Sequence, residues 1–171
     1  MPEVAIIGRS NVGKSSLINR VLGQRGLMRV SNTPGRTQAV LFVSLGGRGY
    51  VVDLPGYGFA KVPLPVKASW AALVEAYLAR HARGGACLLV DVRREPNEGD
   101  LMMVDYFRRF EREFFVVMTK VDKISRGQWK PRAESIGKAL GLNSEQNPIP
   151  FSAVSGEGAK TVLRTIEEIM E

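Results

Sequence analysis

Four short stretches hold residue types that could handle a phosphorylated purine. Gly8 to Ser15, GRSNVGKS, fits GxxxxGK[ST]. In such a loop the backbone amides, added to the dipole of the following helix, surround phosphate oxygens. That assigns Gly8, Arg9, Ser10, Asn11, Val12 and Gly13 to a phosphate cradle, Lys14 to the outer phosphates and Ser15 to Mg²⁺, with Ser16 beside it. Asp53-Leu54-Pro55-Gly56 is a DxxG, where the acid could hold a Mg²⁺-bound water and Gly56 could donate its N–H to a γ-phosphate. Thr119-Lys120-Val121-Asp122 places a carboxylate that can accept from guanine N1–H and its exocyclic amine, a pairing adenine does not match. The Lys120 stem can lie along the base. Phe151-Ser152-Ala153 closes the set, with the Ala153 amide facing guanine O6.

Taken singly, the last three stretches read equally well as turns after strands. Their order and placement carry the argument. Each follows a predicted strand, and open α/β sheets bind ligands at the carboxyl ends of their strands.

The elements that must position these residues alternate short β-branched runs with amphipathic stretches, the pattern of an α/β protein with a mainly parallel sheet. EVAIIG is a first strand and KSSLINRVLG a helix closed by Gly23. QAVLFVSL and GYVVDL flank Gly46-Gly47, which predicts a hairpin and one antiparallel pair. Residues 24–37 form a polar loop. From Val66, apolar residues recur at 70, 73, 74, 77 and 78, a helix that ends before Gly84-Gly85 and is held back from an earlier start by Pro63 and Pro65. ACLLVDV is a buried strand. Met103, Tyr106, Phe107 and Phe110 make a helical stripe, FFVVMT a strand, Gln128 to Leu140 a helix and PIPFSA a last strand. Ala159 to Met170 is the final helix. The expectation is one domain over 1–171, with a mostly parallel six-stranded sheet, one antiparallel strand and helices on both faces.

Composition excludes several classes. Hydrophobic content of 44% with 24% charged residues is that of a globular protein. No apolar run approaches the ~18 residues of a membrane span. The N-terminus lacks the design of a signal peptide and the C-terminus lacks a lipidation box. The single cysteine, Cys87, excludes an internal disulfide and suits a reducing cytoplasm. The net charge of +7 is concentrated early: residues 1–50 hold seven Lys/Arg against one acid. Such a surplus points to a polyanion, nucleotide or RNA, although aromatic stacking residues are not interleaved with these arginines.

PEVAIIGRSNVGKSSLIN, SNTPGRTQ, DLPGYGFAKV and TKVD together resemble the EngB (YihA/YsxC) family of bacterial GTPases, of the translation-factor-related class. The similarity runs over nearly the whole chain, and TPGRTQ with DLPGYGFAKV marks that family rather than GTPases at large. The resemblance implies a Ras-like P-loop GTPase fold, Mg²⁺-dependent binding of GTP and GDP, a role in assembling the large ribosomal subunit, and a link to cell division and septation. It implies that Thr37 completes the Mg²⁺ shell with Ser15 and Asp53, where spacing alone leaves Thr33 as a competitor. Gly35, Arg36, Gln38 and Ala39 then belong to the same switch. The loop GQRGLMRVS departs from the family's lysine- and asparagine-rich version, which bears on RNA contact. Family members carry a further segment ahead of the PE pair, so the chain reads as N-terminally short.

Tyr57 stands where many nucleotide hydrolases keep a glutamine that orients the attacking water. One hydroxyl on a long rigid arm does not replace that amide, so intrinsic turnover should be slow, on the order of 10⁻⁴ per second. Asn11 matches the position at which potassium-activated GTPases, which this loop resembles, coordinate K⁺. A cation there would neutralise developing charge. The alternative source is a group supplied in trans by the ribosomal particle. The leading expectation is a monomeric cytoplasmic GTPase switch with Lys14, Thr37, Gly56 and Asn11 at the reacting phosphate. A different class also fits: an RNA- or ribosome-binding module for which GTP is a conformational ligand. A P-loop nucleotide kinase fits poorly, for want of an arginine-rich lid. Lys61 and Lys67 are candidate rRNA contacts, and His81 is expected to cap a helix C-terminus rather than catalyse.

Overall fold

A computed structural model describes residues 1–23, 39–58, 63–80 and 82–171. Among these residues, six strands form one sheet in the order β2-β3-β1-β4-β5-β6. These are β1 (Glu3–Gly8), β2 (Leu41–Ser44), β3 (Tyr50–Asp53), β4 (Gly84–Asp91), β5 (Glu113–Thr119) and β6 (Ile149–Pro150). β2 runs antiparallel to β3, and every other pairing is parallel. The hairpin turns at Gly46 and Gly47, whose φ values of 55° and 77° suit glycine.

Among the described residues, five α-helices cover the sheet: α1 (Lys14–Val21), α2 (Leu64–Leu78), α3 (Glu98–Arg109), α4 (Trp129–Ala139) and α5 (Ala159–Met170). Strands β1 and β4 are central and read as nearly continuous apolar runs, as strands buried on both faces must. Alternate residues therefore feed two cores. Ile7, Leu88 and Val90 face a cluster that takes in Val74, Met103, Phe107 and Ile136 from α2, α3 and α4. Ile6, Cys87 and Leu89 face a second cluster with Leu17, Ile18, Val162 and Ile166 from α1 and α5. Cys87 is fully buried, and desolvation pushes its thiol far above its ordinary pKa.

Several expected boundaries shift. α2 begins at Leu64, ahead of Val66: Pro63 is the extended cap and Pro65 sits inside the first turn. Proline lacks an amide, which costs nothing there because that amide has no helical partner. Pro65 therefore opens the helix where the sequence reading had it delay the start. β2 is shorter than QAVLFVSL, and β6 is only Ile149–Pro150, because Phe151 leaves the ladder to begin the loop that carries Ser152. Thr33, Gly35, Arg36, Thr37, Gln38, Lys61 and His81 lie outside the described residues. No described helix is long and apolar enough to cross a membrane.

Candidate functional site

β1 delivers the chain to Gly8, and residues Arg9 to Gly13 turn it into α1. Asn11 (φ 63°) and Gly13 (φ 103°) adopt left-handed backbone, the geometry that turns successive amides towards one concavity. Lys14 opens α1, with Ser15 and Ser16 half-buried behind it. The Lys14 ammonium donates to the Asp53 carboxylate at the end of β3. Burial pushes the Asp53 carboxyl above its usual range, and the Lys14 charge opposes that shift.

The end of β5 grips the same loop. Thr119, buried, donates from Oγ1 to the Val12 carbonyl at 2.7 Å. Lys120 (φ 62°) donates from Nζ to the neighbouring Asn11 carbonyl at 2.7 Å and lies 3.5 Å from Asp91. Two consecutive side chains therefore hold two consecutive carbonyls of the phosphate loop, which fixes that loop relative to Asp122. Asp122 itself is exposed and accepts from Ser152 Oγ at 2.8 Å. Ser152 is fully buried, and its hydroxyl also accepts the Ser155 amide at 3.1 Å. The Val121 amide bonds the Phe151 carbonyl at 3.2 Å. The loops after β5 and β6 thus form one unit that presents a carboxylate, with half-buried Ala153 beside it.

The DxxG segment is bound on three sides. Leu54 N–H donates to Ile6 (3.1 Å), Tyr57 N–H to Gly8 (3.3 Å), and Ser10 N–H to Tyr57 (2.7 Å). Trp70 of α2 donates from Nε1 to the Pro55 carbonyl at 2.7 Å. A Cβ on Gly56 would stand 3.2 Å from the Gly8 carbonyl oxygen and 3.3 Å from the Ser10 nitrogen. The turn therefore lies close on the phosphate loop because position 56 has no side chain. Tyr57 is buried in the core on the α2–α3 side, and its hydroxyl donates to Asp100.

The fold thus gathers Gly8 to Ser16, Asp53 to Gly56, Thr119 to Asp122 and Phe151 to Ala153 at the carboxyl ends of β1, β3, β5 and β6. Ala39 is exposed and precedes β2. Sequence reading missed Asp91, Trp70 and Asp100. Asp91 ends β4 and carries a signal that was available, an acid at a strand's carboxyl end. Burial alone would raise its pKa, but Arg93 and Lys120 hold the carboxyl below the usual range. Arg9, Asn11, Asp91, Arg93, Asp100 and Lys120 share a cavity of about 160 Å³ on this flank of the loop.

The sequence profile of the family described as "50S ribosome-binding GTPase" matches residues 3–120. A protein of Geobacter metallireducens named "Probable GTP-binding protein EngB" is 47% identical over 99% of this chain and 83% of its own length. Its namesake in Desulforamulus reducens is 44% identical over 99% of this chain and 84% of its own length. The chain belongs to the EngB family of GTP-binding proteins. A crystal structure of a probable EngB, 24% identical, superposes with a TM-score of 0.80 over 98% of each chain and shares the fold. The fold is therefore Ras-like, and the protein is a GTP-hydrolysing enzyme. Within this EngB framework the Asp122 carboxylate and the loop from Gly8 to Lys14 stand on opposite ends of the Thr119–Lys120 clamp.

Proposed function

We propose that this EngB protein is a GTP-driven switch acting in assembly of the large ribosomal subunit, with consequences for cell division and septation, and that its hydrolysis is completed by the ribosomal particle. One observation carries the reading. The side chain that follows DxxG, Tyr57, is buried and bonded to Asp100, so it is not placed to orient a water. A slow intrinsic GTPase needs an added group to reach a useful rate, and such groups are worth about 10³–10⁵ in turnover. The family's description as ribosome-binding and the basic first fifty residues favour a particle made largely of RNA.

In this reading the amides of Gly8 to Gly13 and the α1 amino end receive the phosphates, and Lys14 exchanges Asp53 for the outer phosphates. Gly56 donates its N–H to the γ-phosphate, and Asp122, aligned by Ser152, reads the guanine edge while the Ala153 amide meets O6. The Ser15 and Thr37 hydroxyls would hold Mg²⁺, with Asp53 holding one of its waters, which suits a hard cation that keeps several waters and takes the rest of its shell from phosphate. Ser15 at the start of α1 and Asp53 against Lys14 fit that requirement. When bound, Mg²⁺ neutralises charge on the transferring phosphoryl group. Asn11 is the residue that would hold K⁺.

The test is turnover of GTP with and without purified large-subunit precursors, beside retention of the protein on those particles by a non-hydrolysable analogue. Stimulation by particles and trapping by the analogue are expected. Binding without stimulation would leave GTP as a conformational ligand only. Turnover in KCl against NaCl, with Asn11→Asp beside the parent, checks the potassium assignment. Equal rates in both salts remove it.

A further inference from the structure

The acid that receives the Tyr57 hydroxyl does more than a helix start requires. Asp100 lies in the first turn of α3 and is buried. One of its oxygens, Oδ2, accepts the Asn97 amide at 2.9 Å, while its own amide donates to Asn97 Oδ1 at 3.0 Å. That reciprocal pair satisfies the cap and uses a single carboxylate oxygen. The other oxygen, Oδ1, receives Tyr57 Oη from a segment 43 residues earlier in the chain. A carboxylate is costly to bury unless it is fully bonded, so the second bond needs a reason.

The surroundings give one. A Cβ on Gly99 would lie 2.6 Å from Tyr57 Cδ2, so the ring lies directly on the α3 backbone at the residue before Asp100. The Trp70 ring covers Tyr57 at 5.7 Å between centroids, while its Nε1 holds the Pro55 carbonyl. Arg9 of the phosphate loop brings its positive charge to bear on Asp100. Tyr57 in turn bonds Gly8 and Ser10 through its backbone. The path from α3 to the phosphate loop therefore has three links: Asp100 to the Tyr57 hydroxyl, the Tyr57 ring to its backbone, and that backbone to Gly8 and Ser10. Gly56 sits between the bonded residues Pro55 and Tyr57.

We infer that Asp100 is a positioning residue for GTP hydrolysis, acting through the Tyr57 hydroxyl to hold the Gly56 turn in register with the phosphate loop. Neither side chain touches the reacting phosphate. Their work is to fix a backbone donor whose misplacement by about 1 Å is enough to cost a large factor in rate. The idea rests on hydrolysis itself and is independent of any ribosomal partner.

Tyr57→Phe tests it in the full chain, because that change keeps the ring, its packing on Gly99 and Trp70, and the Asp100 cap. Single-turnover hydrolysis of radiolabelled GTP should slow about tenfold, equivalent to one pK-sized step in the barrier, while the Kd for GDP stays within about twofold. Asp100→Ala, which removes the acceptor outright, should show at least the same loss, and adding Tyr57→Phe to it should slow the rate no further, as residues acting through one link behave. Thermal unfolding of each GDP complex reports any change in stability separately. An unchanged rate in Tyr57→Phe would overturn the inference. So would multiplicative losses in the double variant, or a fall in GDP affinity that parallels the fall in rate.

Discussion

Thr119 offers a direct way to perturb the coupling between the base and phosphate ends of the site. It is 1% exposed, and Oγ1 bonds Val12 at 2.7 Å with a second carbonyl, Val90, at 3.4 Å. Thr119→Val conserves the shape, replaces the hydroxyl by a methyl and leaves the Val12 carbonyl without its donor. A buried polar group stranded in this way costs about 1–3 kcal/mol. Taking about 2 kcal/mol, the Tm of a chain this size should fall by about 4–8 °C. Because the stranded group belongs to the phosphate loop, roughly half of the cost should appear as weaker nucleotide binding, about fivefold in the Kd for GDP. Thr119→Ser keeps the hydroxyl and should recover most of the affinity. Calorimetric titration with GDP and thermal scans of the three proteins make the comparison. A valine variant with parental Tm and Kd, or a serine variant as weak as valine, would refute the clamp.

Gly8→Ala would place a Cβ 2.8 Å from Val12 Cγ1 and 2.9 Å from the Leu89 carbonyl oxygen; overpacking of about 1–3 kcal/mol is expected, with loss of GDP binding by titration. If Asp122 reads the base as proposed, Asp122→Asn replaces one carboxylate acceptor by an amide donor and should move preference from guanine to xanthine nucleotides, read by competition against a fluorescent GDP. For Asp91 the folded-state pKa lies below the ordinary value, so its stabilisation is present above the unfolded pKa of about 3.9 and fades as pH falls through the folded pKa. Asp91→Asn should therefore lower stability to urea at neutral pH, with the gap to the parent narrowing only as pH falls below about 3.9.

Local pattern was enough to locate the described strands and the residues that gather at their carboxyl ends, because β-branched runs ending in Gly8, Asp53 and Thr119 encode both the strand and the residue delivered at its end. Hairpin chemistry at Gly46-Gly47 supplied the antiparallel pairing of β2 with β3. What escaped depended on neighbours distant in sequence. Asp100 looks like an acid in the first turn of a helix, and nothing in NEGD reveals that Tyr57 reaches it. Trp70 reads as a core aromatic, and only the folded packing shows its indole amide on Pro55. Pro65 illustrates a local rule with two outcomes: a proline opposes helix before it, yet fits the first turn of one.

Cys87 lies at the middle of β4, sealed between β1 and β5. Alkylation needs a thiolate in contact with solvent, and no small opening of a loop or helix end would provide it. As the chain's one cysteine, it makes the native protein its own timer: modification proceeds only when the centre of the sheet comes apart. The ratio of labelling rates in native and unfolded protein would measure that opening directly, and a nucleotide that tightens the whole sheet should lengthen the interval.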